Sequence, residues 1–99
     1  MKNVQHLVLV KFKPGEDRQA PALFAALEAL KAKLPGMLAY RFGTNMSPEG
    51  LNRGFTHGFV MTFADAAARN HYLVHPDHEE VKAIYLPHLE DVIVFDFEA

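Results

Sequence analysis

Cysteine is missing altogether from the 99 residues. That absence excludes a disulfide framework, a thiol nucleophile and any cysteine-built metal site, and it makes a reducing compartment, the cytoplasm, the expected location. No run approaches the ~20 consecutive apolar residues of a bilayer-spanning helix, and Lys11 and Lys13 directly follow the first apolar segment, so neither a membrane partner nor a signal peptide is expected. Neither sign of charge dominates. Ten Lys and Arg against twelve Asp and Glu leave a formal net charge of -2, interspersed along the chain, which gives no basic field to draw in nucleic acid. Repeats and low-complexity tracts are also lacking. Apolar residues, in contrast, make up 49% of the chain and charged residues 22%, enough for a packed core in one domain spanning residues 1–99.

Alternation and helical spacing divide the chain into six elements. Residues 3–13 read NVQHLVLVKFK, with Val4, His6, Val8, Val10 and Phe12 on one face and Leu7 and Leu9 on the other, a strand apolar on both sides. Pro14 and Gly15 end it, and Glu16 and Asp17 favour a helix start. Leu23, Leu27, Leu30 and Leu34, with Phe24 beside them, predict a helix over residues 18–34 that Pro35 and Gly36 stop. A second strand follows over 37–46, a polar loop over 45–54, and a third strand over 55–63, where Gly58 marks a close approach or a bulge. Asp65 can cap the next helix, but Pro76 forces His75 towards an extended conformation, so this segment is expected to be two helical pieces. The second piece starts at Pro76 and runs to about Leu89, with Pro87 disturbing its end. The last strand, 91–97, sets Ile93, Phe95 and Phe97 against Val92, Val94 and Asp96.

The order strand, helix, strand, strand, helix, strand is that of an α+β, ferredoxin-like βαββαβ fold, with two helical layers on one face of a four-stranded antiparallel sheet. The other face is left open, yet the first and last strands are apolar on both sides. A second copy of the chain, meeting the same patch across a two-fold axis, is the expected cover. At ~25 cal/mol per Å2, burying several hundred Å2 per subunit contributes on the order of ten kcal/mol before association costs. If Leu7 and Leu9 pack on the helices, then His6, Val8 and Val10 point into the interior of such a barrel.

The segments HLVLVKFK, LPG, GFTHGFVMTF and HYLVHPDH followed by VIVFDF resemble the stress-responsive dimeric α/β barrel family over essentially the whole chain. The resemblance implies a dimeric α/β barrel. It also implies kinship with plant polyketide cyclases of that family, in which a Tyr and a His form the acid/base pair, at positions occupied here by Tyr72 and His78. A tyrosine of the cyclase pocket is replaced by Leu27, so the substrate does not transfer. Some plant members hold magnesium on backbone carbonyls that would fall at Lys31, Leu34 and Met37, positions where a helix end leaves free acceptors in any case.

Six histidines is a high count, and imidazole titrates near neutrality. Tyr72 and His78 are the candidate catalytic pair: the hydroxyl would support an oxyanion and the imidazole would move a proton, although six residues apart on a straight helix they would point to different faces. Only the break at Pro76 brings them together; otherwise Tyr72 is a packing residue and His78 a surface one. His6, Val8, Val10, Phe24, His57, Val92 and Val94 are expected to line the ligand pocket, with His6 and His57 alternatively hydrogen-bonded core residues. His75 is expected to brace the helix break. His71, His75 and His78 have metal-like spacing, but Pro76 interrupts them and no carboxylate accompanies them, so neither a metal nor a cofactor is expected. Three functions follow from these readings. The first is a homodimeric module binding a small apolar, aromatic or polyketide-like ligand. The second is a cofactor-independent acid/base enzyme, cyclase-like or monooxygenase-like. The third is a structural stress-tolerance dimer with a filled interior.

Overall fold

The computed structural model describes residues 2–99. Strand β1 (Val4–Phe12) leads through a 3-10 turn (Asp17–Gln19) into helix α1 (Ala20–Lys31), followed by strands β2 (Met37–Thr44) and β3 (His57–Phe63), helices α2 (Ala66–Leu73) and α3 (Pro76–Tyr85), a 3-10 turn (Leu86–His88) and strand β4 (Leu89–Glu98). All neighbouring strands pair antiparallel, in the order β2-β3-β1-β4. The fold is the expected ferredoxin-like one. The element ends differ modestly: α1 stops at Lys31, short of Pro35, and α3 stops at Tyr85 because Pro87 tightens the chain into the 3-10 turn.

Strand β1 sits centrally and divides the molecule. Val4, Val8, Val10 and Phe12 pack with Leu23, Phe24, Leu27 and Leu30 of α1 and with Met61 and Phe63 of β3. The helices therefore cover the even-numbered side of β1, the reverse of the expectation that Leu7 and Leu9 face them. His6, Val8 and Val10 point into the space between sheet and helices, and the odd-numbered side remains uncovered. There Leu7 stands opposite Phe95 and Val60, and Leu9 opposite Ile93 and Gly58. Phe95 is 58% exposed, and Ile93 and Phe97 are also exposed.

Two glycines set close approaches. A Cβ on Gly58 would meet the Leu9 side chain at 3.0 Å and the Val8 carbonyl oxygen at 3.2 Å, so this position suits glycine because a neighbouring side chain and backbone crowd it. A Cβ on Gly36 would lie 2.5 Å from that of Ala68, so glycine there lets α2 sit directly against the start of β2. The Gly36 carbonyl also accepts from the Ala64 N–H at 2.8 Å, tying the segment before α2 to the same place.

Candidate functional site

The helical region after β3 breaks where the sequence requires. Asp65 caps α2 by accepting from the Ala68 N–H at 2.8 Å, and α2 ends before His75, whose backbone is extended (φ -66, ψ 135) ahead of Pro76. His75 itself caps α3: its Nδ1 accepts from the Asp77 N–H at 3.1 Å. The Lys33 ammonium reaches Asp77 at 2.6 Å and links the loop after α1 to the start of α3.

This break stacks Tyr72 on His78, with ring centroids 4.2 Å apart and planes inclined by 35°. Both rings face a cavity of about 250 Å3 walled by β1, β4, α1 and α3, small for a ligand site and therefore suited to a small guest. Seven of the residues named from sequence line it: His6, Val8, Val10, Tyr72, His78, Val92 and Val94. Phe24 and His57 do not. On α1, Leu23 and Leu27 share the face turned to the cavity, whereas Phe24 is rotated about 100° away and stacks on Phe42 of β2 at 4.6 Å. His57 belongs with that second aromatic group, 5.2 Å from Phe12 and 6.0 Å from Phe24. The remaining walls are mostly apolar, with Tyr85, Leu86 and Leu89 beside Lys82.

The protonation chemistry follows from the hydrogen bonds. His78 donates from Nδ1 to the Leu73 carbonyl at 3.2 Å, so its neutral form carries the proton there and leaves a lone pair on Nε2. Burial holds the His78 pKa below the usual imidazole value, opposed by that hydrogen bond, so the free base prevails at neutral pH. Tyr72 is 1% exposed, and burial pushes its phenol well above the ordinary value. It stays a neutral donor. Among the described residues its hydroxyl has no hydrogen-bond partner, and no buried side-chain oxygen or nitrogen is both sealed and unpartnered. The hydroxyl is therefore the part of Tyr72 that reaches the cavity.

His6 lies on the far side of Tyr72, with ring centroids 5.8 Å apart. Its Nδ1 donates to Asp96 Oδ1 at 2.7 Å, and Arg69 of α2 donates to Asp96 Oδ2 at 2.5 Å. Asp96 and Arg69 are absent from the sequence-based site. The available signal was a single carboxylate in the otherwise apolar row Val92, Val94, Asp96.

The carbonyls at the end of α1 serve the turn that closes the helix. Lys31 O already accepts from the Leu34 N–H at 3.4 Å and Leu34 O from the Met37 N–H at 2.9 Å. Among the described residues, no three His, Asp or Glu side chains gather in a way that could hold a metal ion.

A model of the stress responsive A/B barrel domain matches residues 4–99. The chain belongs to that family. The stress-response A/B barrel domain-containing protein HS1 of Arabidopsis thaliana is 33% identical over 96 residues, covering 96% of this chain and 88% of the relative. Olivetolic acid cyclase of Cannabis sativa is 26% identical over 95 residues, covering 95% of this chain and 94% of the cyclase. A dimeric ferredoxin-like protein of unknown function from Jannaschia sp. CCS1 superposes with a TM-score of 0.89 at 28% identity, covering 98% of this chain and 99% of that one.

Proposed function

We propose that this A/B barrel protein is a homodimer whose cavity binds a small carbonyl compound, aromatic or polyketide-like, and moves a proton on it without a cofactor. One observation carries the reading: a neutral phenol and an unprotonated imidazole nitrogen, from separate helices, meet in one apolar cavity. His78 Nε2 takes a proton from the carbon next to the carbonyl. The C–H electron pair becomes the C=C bond, the carbonyl π pair moves to oxygen, and the Tyr72 hydroxyl hydrogen-bonds the resulting enolate. Return of the proton reverses the step, and attack of the enolate carbon on a second carbonyl in the same guest closes a ring. The similarity to olivetolic acid cyclase supports this class of chemistry, and the departure at Leu27 points to a different substrate. The dimeric relative and the uncovered apolar face of the sheet support the oligomeric state.

The test is incorporation of solvent deuterium into the methyl group of 4-hydroxyacetophenone in D2O, followed by NMR. The intact protein is expected to exceed buffer, and Tyr72→Phe and His78→Gln each to lower the rate about 100-fold. Saturable binding of the ketone with exchange no faster than buffer would leave a binding module and sink the enzyme.

A further inference from the structure

The geometry points to His6 as a second proton-transfer group of this cavity, aligned by Asp96, with Arg69 acting as the positioning residue that fixes the carboxylate. The inference rests on the proton-transfer reading above and adds a group to it. His6 and Asp96 are directly opposed on β1 and β4, on the helix side of the sheet. A carboxylate there interrupts an apolar row and must be paired in order to be tolerated. It is paired twice, with one oxygen on His6 Nδ1 and the other on Arg69.

That pairing selects the state of His6. A carboxylate oxygen facing Nδ1 accepts, so the neutral form of His6 carries its proton on Nδ1 and its lone pair on Nε2. Among the described residues no group engages Nε2, and since none of their buried side-chain nitrogens is sealed without a partner, that nitrogen opens to the cavity that His6 lines. His6 is nonetheless only 4% exposed as a residue. Its orientation is further restricted by Phe59 and Phe63 of β3, both apolar neighbours of the ring. The other charged or titratable groups lining the cavity are Tyr72, His78, Lys82 and Tyr85 from the helical side.

Arg69 lies one helical turn before Tyr72, on the same side of α2. One helix therefore delivers the hydroxyl and also locks the carboxylate behind the second imidazole. A packing histidine would fix a tautomer through its hydrogen bond but would not require its second nitrogen to be open. With both imidazoles beside Tyr72, His78 takes the proton from carbon and passes it on to solvent, while His6 Nε2 takes a proton from solvent and delivers it to the enolate oxygen, so both rings end neutral.

The first measurement needs no ligand: nitrogen-15 NMR of histidine-labelled protein at neutral pH. His6 is expected as the Nδ1–H tautomer in the intact protein and as a tautomer mixture in Asp96→Asn. Finding His6 with its proton on Nε2 in the intact protein overturns the inference. The second measurement is deuterium exchange into 4-hydroxyacetophenone, with circular dichroism confirming each variant folded. His6→Gln is expected to slow exchange about 100-fold, and Arg69→Leu about tenfold with partial rescue in Arg69→Lys. Full exchange in folded His6→Gln alongside a slow His78→Gln refutes the role of His6 and leaves the Tyr72–His78 reading standing. No exchange in the intact protein refutes both.

Discussion

Burial of His78 has a consequence for stability as well as for chemistry. Its folded-state pKa lies below the ordinary value of 6.5, so the folded protein binds this proton less readily than the unfolded chain. The stability tied to neutral His78 is complete above the unfolded value, and it is lost as pH falls through 6.5 towards the depressed folded value. Melting temperature followed from about pH 7.5 to 5 should drop more in the intact protein than in His78→Gln. Parallel curves would contradict the placement of His78. Tyr72 and His78 were legible as a pair from the family resemblance and the proline between them. Asp96 and Arg69 were not, because the His6–Asp96 and Asp96–Arg69 contacts span 90 and 27 residues of chain and arise only when β4 joins β1 and α2 settles over them.

Among the elements, α2 carries the most positional information per residue, since it bears both Arg69 and Tyr72 and rests on Gly36 through Ala68. Gly36→Ala would place a methyl group 2.5 Å from the Ala68 Cβ and push α2 off the sheet. The expected cost is about 1–3 kcal/mol, an overpacking penalty, read as a lowered denaturant midpoint with an unchanged slope. Retention of full stability would show that α2 is free to move at that point. The helix break was predictable because Pro76 dictates the conformation of the residue before it, and the caps at Asp65 and His75 follow from local side-chain chemistry. The facing of β1 was not. A strand apolar on both sides announces two faces but does not mark which of them the helices take, and the bulk of Leu23, Leu27 and Leu30 settles it in favour of Val8 and Val10.

For the whole molecule, the sheet offers Leu7, Leu9, Ile93, Phe95 and Phe97 to the outside while the cavity occupies the opposite side. Exposed apolar patches of this kind mark association surfaces. Leu9→Asp together with Phe95→Asp is expected to yield monomers in sedimentation velocity at micromolar concentration, where the unaltered chain is expected to sediment as the proposed dimer. A unaltered chain that sediments as a folded monomer would remove the dimer from the proposed function. The α+β fold and its open face could be read from element order and alternation, whereas the α1 side of the pocket could not, because Phe24 and Leu27 differ by a rotation about a helix axis that spacing alone left unassigned.

The interruption at His75 and Pro76 makes the separation of the two stacked rings an adjustable dimension. In an uninterrupted helix, inserting a residue between them would swing every later side chain through a further 100° or so and dismantle the α3 wall of the cavity. Here the two rods meet at a single extended link. Lengthening that link by one residue is expected to change the gap between phenol and imidazole while each rod keeps its own contacts.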